Sequence, residues 1–244
     1  MSRSVDRAME ILWLLAEADG PKSCAEIATM LDMPKSTAHG ILRSMLNHDF
    51  VAMNDHSLYS IGLRAFEVGA AYRRSIDAVA AVMPQLESLT QNLGLTSHYA
   101  ILDGNDAVYL CKQDPPGRGI RLASSIGARL PARLTAVGKA CLAWLPEGEV
   151  VKHLGDPTGT DAAQLDALTA EFEKVRARGY AKDAGIAAAG VHCVAAPVFR
   201  EGDVPIGAVG ASFLMVSDVD SAEVAEAVMA AARHATVLLS GRQS

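Results

Sequence analysis

Between Met33 and His48 the chain carries Lys35, His39, Arg43 and His48 and no carboxylate. The hydroxyls of Ser36 and Thr37 lie among them. Cations and short hydroxyls at the start of a helical stretch are the groups that meet phosphates and base edges in a duplex groove. The overall charge of −6 argues against such a partner until it is divided. Residues 1–75 hold eight Lys and Arg against nine Asp and Glu, a net of −1, and residues 76–244 carry the other −5. A local acid-free stripe decides phosphate contact more than the sum does.

Other chemistry finds less to stand on. Cys24, Cys111, Cys141 and Cys193 are far apart, with no C-x-x-C pair, so free thiols are expected and no metal site. Gly138-Lys139-Ala140 is not a phosphate loop, because Arg133 stands where the first glycine is needed and Ala140 where Ser or Thr is needed. Gly207 and Gly210 lack the third glycine and the βαβ setting of a dinucleotide site. No G-x-S-x-G elbow occurs. His192 and Cys193 are neighbours on a strand and point to opposite faces, so they cannot pair as base and nucleophile. An enzyme using Cys193 as nucleophile and a thiol redox sensor remain the alternatives. The first lacks a visible base; the second needs an exposed thiol, whereas Cys111, Cys141 and Cys193 sit in apolar runs. No cofactor is expected.

These groups need a scaffold. The chain has 244 residues, 50% apolar and 5% aromatic, which suits one or two domains with a real core. Its longest apolar run, Val204 to Val216, contains Pro205 and two glycines, so no membrane span is expected. The polar N-terminus leads straight into an amphipathic pattern, which predicts no signal peptide and a cytoplasmic location. Val5, Ala8, Met9, Leu12 and Leu15 share one helical face, with Ser4 as N-cap and Gly20-Pro21 as the stop. Ser23 and Glu26 have capping-box spacing for a second helix. Pro34 suits the first position of a third, which runs to about Asn47. Phe50 to Met53 and Leu58 to Ile61, around the polar turn 54–57, read as a hairpin. Helix, helix, turn, basic helix and hairpin make a winged helix-turn-helix. Lys35, Ser36, Thr37, His39 and Arg43 lie on the outer face of its third helix.

The wording resembles the IclR-type family of bacterial transcriptional regulators. The matching text is Ser4 to Ala8, Glu26-Ile27-Ala28, Pro34 to His39, and Tyr59-Ser60-Ile61-Gly62. The resemblance adds Tyr59, on the wing, to the DNA-contact set. One departure is Gly40, where the family usually has arginine. Residues 63–75 have helical spacing, with Leu63, Phe66 and Ala70 on one face, too apolar for a free linker. By resemblance this helix joins and pairs subunits into a homodimer or a dimer of dimers.

Residues 76–244 read as an α+β domain, since strands and helices mix without strict alternation. A helix through Val82, Leu86, Leu89 and Leu93 ends at Gly94. Strands are expected at Thr96 to Leu102, Ala107 to Lys112, Ile120 to Ser124, Val191 to Phe199 and Pro205 to Phe213, and helices at Thr135 to Leu145, Gln164 to Arg178 and Ser221 to Leu239. The family signature recurs in Gly179, Asp183, Cys193-Val194-Ala195 and Val198-Phe199, and in the blocks 126–131 and 135–140. Ile186 and Arg200 depart from it, standing where the family has Glu and where it has Asp or Asn. The resemblance implies a GAF-like effector-binding domain with its pocket between the sheet and the loop at Gly127. Its matching positions are Gly127 and Ala128 as free amides for an anion, Leu110, Leu122 and Val191 as apolar walls, and Asp183, Cys193 and Ser212 as polar contacts. His98 and Arg121 add charge if their strand faces point inward. Ile186 in place of Glu makes the site less acidic and more apolar and favours an aromatic or larger ligand over a small keto acid.

The expectation is therefore a ligand-responsive regulator rather than an enzyme. Its partners are double-stranded operator DNA and a small organic acid or aromatic metabolite, with no membrane. Residues 1–62 read DNA, 63–75 link and dimerise, and 76–244 bind effector. A repressor of a catabolic operon is preferred to an activator.

Overall fold

The computed structural model describes residues 3–74, 76–117, 125–153, 162–187, 189–215 and 219–241. It divides into two compact units, 1–75 and 76–244. In the first, α1 (Arg3–Glu17), α2 (Cys24–Met30) and α3 (Lys35–Asn47) surround a core of Ile11, Leu15, Ile27, Ala38, Leu42 and Met45. The capping box forms: the Glu26 amide donates to Ser23 Oγ at 3.2 Å and the Ser23 amide to Glu26 Oε2 at 2.7 Å. Two expected caps shift, because α1 already includes Ser4 and Pro34, with ψ of 136°, stands just outside α3 as its N-cap. The wing pairs β2 (Val51–Met53) with β3 (Leu58–Ile61), and a short β1 (Lys22–Ser23) adds a third strand beside β3. Two residues of strand between helices leave no alternation to read, so β1 is invisible in the sequence. Asn54 closes the wing turn, its Oδ1 accepting from the amides of His56 and Leu58 at 3.0 Å. After the wing, α4 (Leu63–Arg74) leaves Leu63, Phe66 and Val68 exposed.

The second unit is built on an antiparallel sheet of order β6-β5-β4-β9-β8-β7. Its strands are β4 (Thr96–Asp103), β5 (Asp106–Gln113), β6 (Arg129–Pro131), β7 (Ala181–Ala184), β8 (Val191–Phe199) and β9 (Pro205–Leu214). Helices cover both faces, which is why β8 and β9 read as unbroken apolar runs. On one face α5 (Asp77–Leu93) and α9 (Ser221–Ser240) pack on Tyr99, Leu110, Val194, Val209 and Phe213. On the other, α6 (Ala136–Leu142) and α8 (Ala162–Arg178) pack on Ala100, Tyr109, Cys193, Ala195 and Ala208. A short α7 (Glu147–Val150) and a 3-10 turn (Val151–His153) lie between these helices in the chain. Gly94 ends α5 in the left-handed conformation, as expected. The expected strand Ile120 to Ser124 lies outside the described residues. β6 and β7, of three and four residues, were too short to signal themselves.

Pro197 lies within β8, where an inner strand would lose a hydrogen bond. It is tolerated because β7 pairs only as far as Ala195, so residues 196–199 form a free edge on that side. Gly138 answers to close approach: a Cβ there would stand 2.1 Å from the Ala132 carbonyl oxygen. Gly40, on the solvent side of α3, has open space around it. Replacing each by alanine should therefore give opposite results in thermal melts. Gly40→Ala is expected to raise Tm through about 1 kcal/mol of helix propensity. Gly138→Ala is expected to lower it through about 1–3 kcal/mol of overpacking. A Gly138→Ala melt matching the wild type would refute the close packing.

Candidate nucleic-acid interface and effector site

In α3 the buried residues are Ala38, Leu42 and Met45, and the helix turns Lys35, Ser36, His39, Gly40 and Arg43 to solvent. Ser36 stands three and four residues before His39 and Gly40, which stand four and three before Arg43, so the four form a single exposed stripe. Thr37 is half-buried beside it. The stripe holds no carboxylate, and the Lys35 and Arg43 side chains form no ion pair among the described residues. The turn into α3 is made by Asp32 in the left-handed conformation, with φ of 45°. Tyr59 is a correction. It is 6% exposed and packs in the core of the first unit, because β3 is the middle strand of the wing and turns this ring inward.

In the second unit one face of the sheet carries a row of polar groups. Asp183, Cys193, Ser212 and Thr96 are cross-strand partners in sequence along β7, β8, β9 and β4. All four are buried. Asp183 accepts from the amides of Ile186 at 2.8 Å and Ala187 at 3.2 Å, which ties down the turn after β7. Val191 stands two residues before Cys193 on the same face, half-buried. His98, two residues after Thr96, brings its Nε2 to 3.5 Å from Cys193 Sγ. It fits because its cross-strand partner is Gly210, where a Cβ would meet Nε2 at 2.6 Å. Gly207 does the same on the other face, where a Cβ would meet the Tyr99 hydroxyl at 2.4 Å. The two glycines make room for two buried rings of β4.

Burial decides the charge states here. Desolvation pulls His98 down to about 4, with the positive Lys112 adding to the effect. It also pushes the Cys193 thiol up to about 12. Both are neutral near pH 7, so His98 supplies no positive charge. His98 Nδ1 is buried with no hydrogen-bond partner among the described residues. Lys139, on α6, is 7% exposed and donates to the Lys182 carbonyl at 2.7 Å. Its pKa is lowered by desolvation, against which Asp183 works.

Several expected roles are changed by this geometry. The Gly127 amide donates to the Tyr109 carbonyl at 2.8 Å and the Ala128 amide to Ser125 at 2.9 Å, so neither is free for an anion. Leu110 lies beside the bulge in the β4–β5 pairing and packs on the α5–α9 face, opposite Cys193. Leu122 and Arg121 fall outside the described residues. Ile186 is 62% exposed, which removes the apolar wall and with it the case for an aromatic ligand over a keto acid. Cys193 does have an imidazole neighbour, 95 positions away along the chain. The neutral state of both groups nevertheless leaves no thiolate to act as nucleophile. Buried Cys111 and Cys141 likewise offer no exposed thiol. Among the described residues no cluster of His, Cys, Asp and Glu could hold a metal, and no helix is long and apolar enough to cross a membrane.

Comparison with known proteins follows the two units. A family model for the IclR helix-turn-helix domain matches residues 4–55, and one for the bacterial transcriptional regulator IclR C-terminal region matches 70–237. The chain belongs to the IclR family of transcriptional regulators. It is 35% identical to the HTH-type transcriptional regulator XynR of Escherichia coli over 91% of this chain and 90% of that one. It is 31% identical to the transcriptional repressor IclR of the same organism, over 98% and 90%. Its fold is that of an IclR homologue from Microbacterium hydrocarbonoxydans, crystallised with 4-hydroxybenzoate: TM-score 0.81 at 22% identity, covering 97% of this chain and 98% of that one.

The buried histidine makes stability depend on pH. The unfolded chain takes a proton on His98 near pH 6.5, whereas the folded chain resists until about pH 4. Stability should be intact above pH 6.5 and fall as pH drops toward 4, by about 3 kcal/mol in all. Denaturation of His98→Asn, which cannot titrate, should show a flatter profile over that interval. An equal slope in the two proteins would show that His98 is not held neutral.

Proposed function

We propose that this protein is an effector-responsive repressor that reads double-stranded operator DNA with α3. The observation that carries this reading is the exposed, acid-free stripe of Lys35, Ser36, His39 and Arg43, with Thr37 beside it, on a winged helix-turn-helix. The exposed stripe of α3 enters the major groove, where Arg43, two turns into the helix, reaches base edges and Lys35, at its start, a phosphate. Gly40 leaves open space on this face, so operator preference differs from that of relatives with arginine there.

One such module reads too few base pairs for useful specificity. The exposed Leu63 and Phe66 of α4, the latter 70% exposed, provide the apolar face on which a second copy pairs. The assembly is a homodimer or a dimer of dimers.

The effector is a small organic acid or aromatic metabolite bound at the polar row of the sheet. Val191 forms its apolar side and Asp183, Cys193 and Ser212 meet its polar groups. His98 Nδ1, buried without a partner among the described residues, gives one further polar contact. The loop carrying Gly127 and Ala128 borders the site through its contact with Tyr109. The effector acts by binding one arrangement of the dimer better than another, and a coupling of about 1–3 kcal/mol is typical. Repression is preferred because the similar IclR is named a repressor. A catabolic operon is the expected target.

The test is binding to an operator selected from random duplexes by the protein itself, followed by fluorescence anisotropy at several salt concentrations. Arg43→Ala should lose about 1–3 kcal/mol of affinity for the selected site. Lys35→Ala should lower the log–log salt slope by about one for each phosphate contact removed. Wild-type affinity and slope in both folded variants would overturn the assignment of α3.

A further inference from the structure

The free edge of β8 borders a concavity that contains none of the polar-row residues. It is a groove of about 380 Å³ whose lining includes Trp144, Pro197, Phe199, Met229, Arg233 and Val237. That volume is in the range of small-molecule sites. Strand addition is blocked there, because Pro197 has no amide to offer and the Phe199 amide donates to Thr236 Oγ1 at 3.1 Å. The Thr236 hydroxyl in turn donates to the Ala232 carbonyl, so it is spent.

What remains is an apolar slot with one unused cationic donor and, among the described residues, no carboxylate in its lining. Trp144 and Phe199 meet edge to face, 5.4 Å between centroids. Rings arranged this way offer faces and edges to a third ring. Arg233 is exposed and forms no ion pair or hydrogen bond among the described residues. A guanidinium at the rim of an apolar slot matches a carboxylate in geometry and charge.

We propose that the groove between the free edge of β8 and α9 binds a small aromatic carboxylate, its ring against Phe199 and Met229 and its carboxylate on Arg233. This site is separate from the polar row of Asp183, Cys193 and Ser212, so one protein has two places for small acids.

The chain has two tryptophans, so Trp13→Phe leaves Trp144 as the sole reporter. Titrating benzoate into that full-length variant should change Trp144 fluorescence saturably. Adding Arg233→Gln, an exposed position, should weaken the response about tenfold, the usual worth of one charge-assisted contact. Adding Ser212→Ala should leave it intact. Three results would overturn the proposal. One is no saturable change up to about 10 mM benzoate, a concentration beyond useful affinity. Another is a response kept by Arg233→Gln and lost by Ser212→Ala, which places the acid at the polar row. The third is a signal that follows protein concentration and not benzoate, which means that a second copy covers the groove.

Discussion

A sheet covered by helices on both faces must find a partner for every polar group it carries, since a buried group left alone costs about 1–3 kcal/mol. The second unit meets this requirement strand by strand. On the α5 side, Ser97 donates to the Leu86 carbonyl at 2.9 Å and meets Thr90 at 2.8 Å, which fixes α5 to β4. On the α6 side, Asp183 holds two turn amides, Thr96 donates to Asp114, and Lys139 ties α6 to the backbone of β7. The exception among these is His98, paired with Cys193 through Nε2 and, among the described residues, unpaired at Nδ1. Where the bonding is complete the fold is fixed; the incomplete position lies beside the groups expected to meet the effector.

The first unit follows the opposite logic. Its small core uses short helices, a capping box and a three-stranded wing to hold α3 rigid. The polar groups of α3 are then left facing water. Exposed cations stay hydrated and carry no burial penalty in the free protein, and the absence of acids on the stripe leaves them without an ion-pair partner among the described residues.

Much of this was legible in the chain. Capping-box spacing at Ser23 and Glu26 and the glycines after α5 and α8 each express a local rule, and local rules survive folding. The resemblance named the family because it rests on blocks spread along the chain. The failures have physical causes as well. Tyr59 entered the contact set through the resemblance, and alternation could not correct it because it fixes two faces without saying which is inside. Leu110 changed face because a bulge near Tyr99 shifts the register. The amides of Gly127 and Ala128 looked free because their carbonyl partners belong to another strand and to the loop itself. His98 was seen only as a source of charge. Its contact with Cys193 spans 95 positions and depends on Gly210, a residue first weighed against a dinucleotide-binding fingerprint. Lys139 was passed over with a rejected motif, although a lone lysine inside the apolar stretch of α6 was the signal of a buried tether.

The central claim is that α3 is the surface that meets DNA. Hydrogen–deuterium exchange of the full chain, free and bound to its selected duplex, tests it most directly. The amides of Lys35, Ser36 and Thr37 open the helix and lack the intrahelical partners of later turns, so they exchange readily in the free protein. Bound DNA should slow them, together with the wing turn at 54–57, and leave the buried strands β4, β8 and β9 unchanged. Protection confined to other surfaces, with the first turn of α3 exchanging as before, would contradict the account.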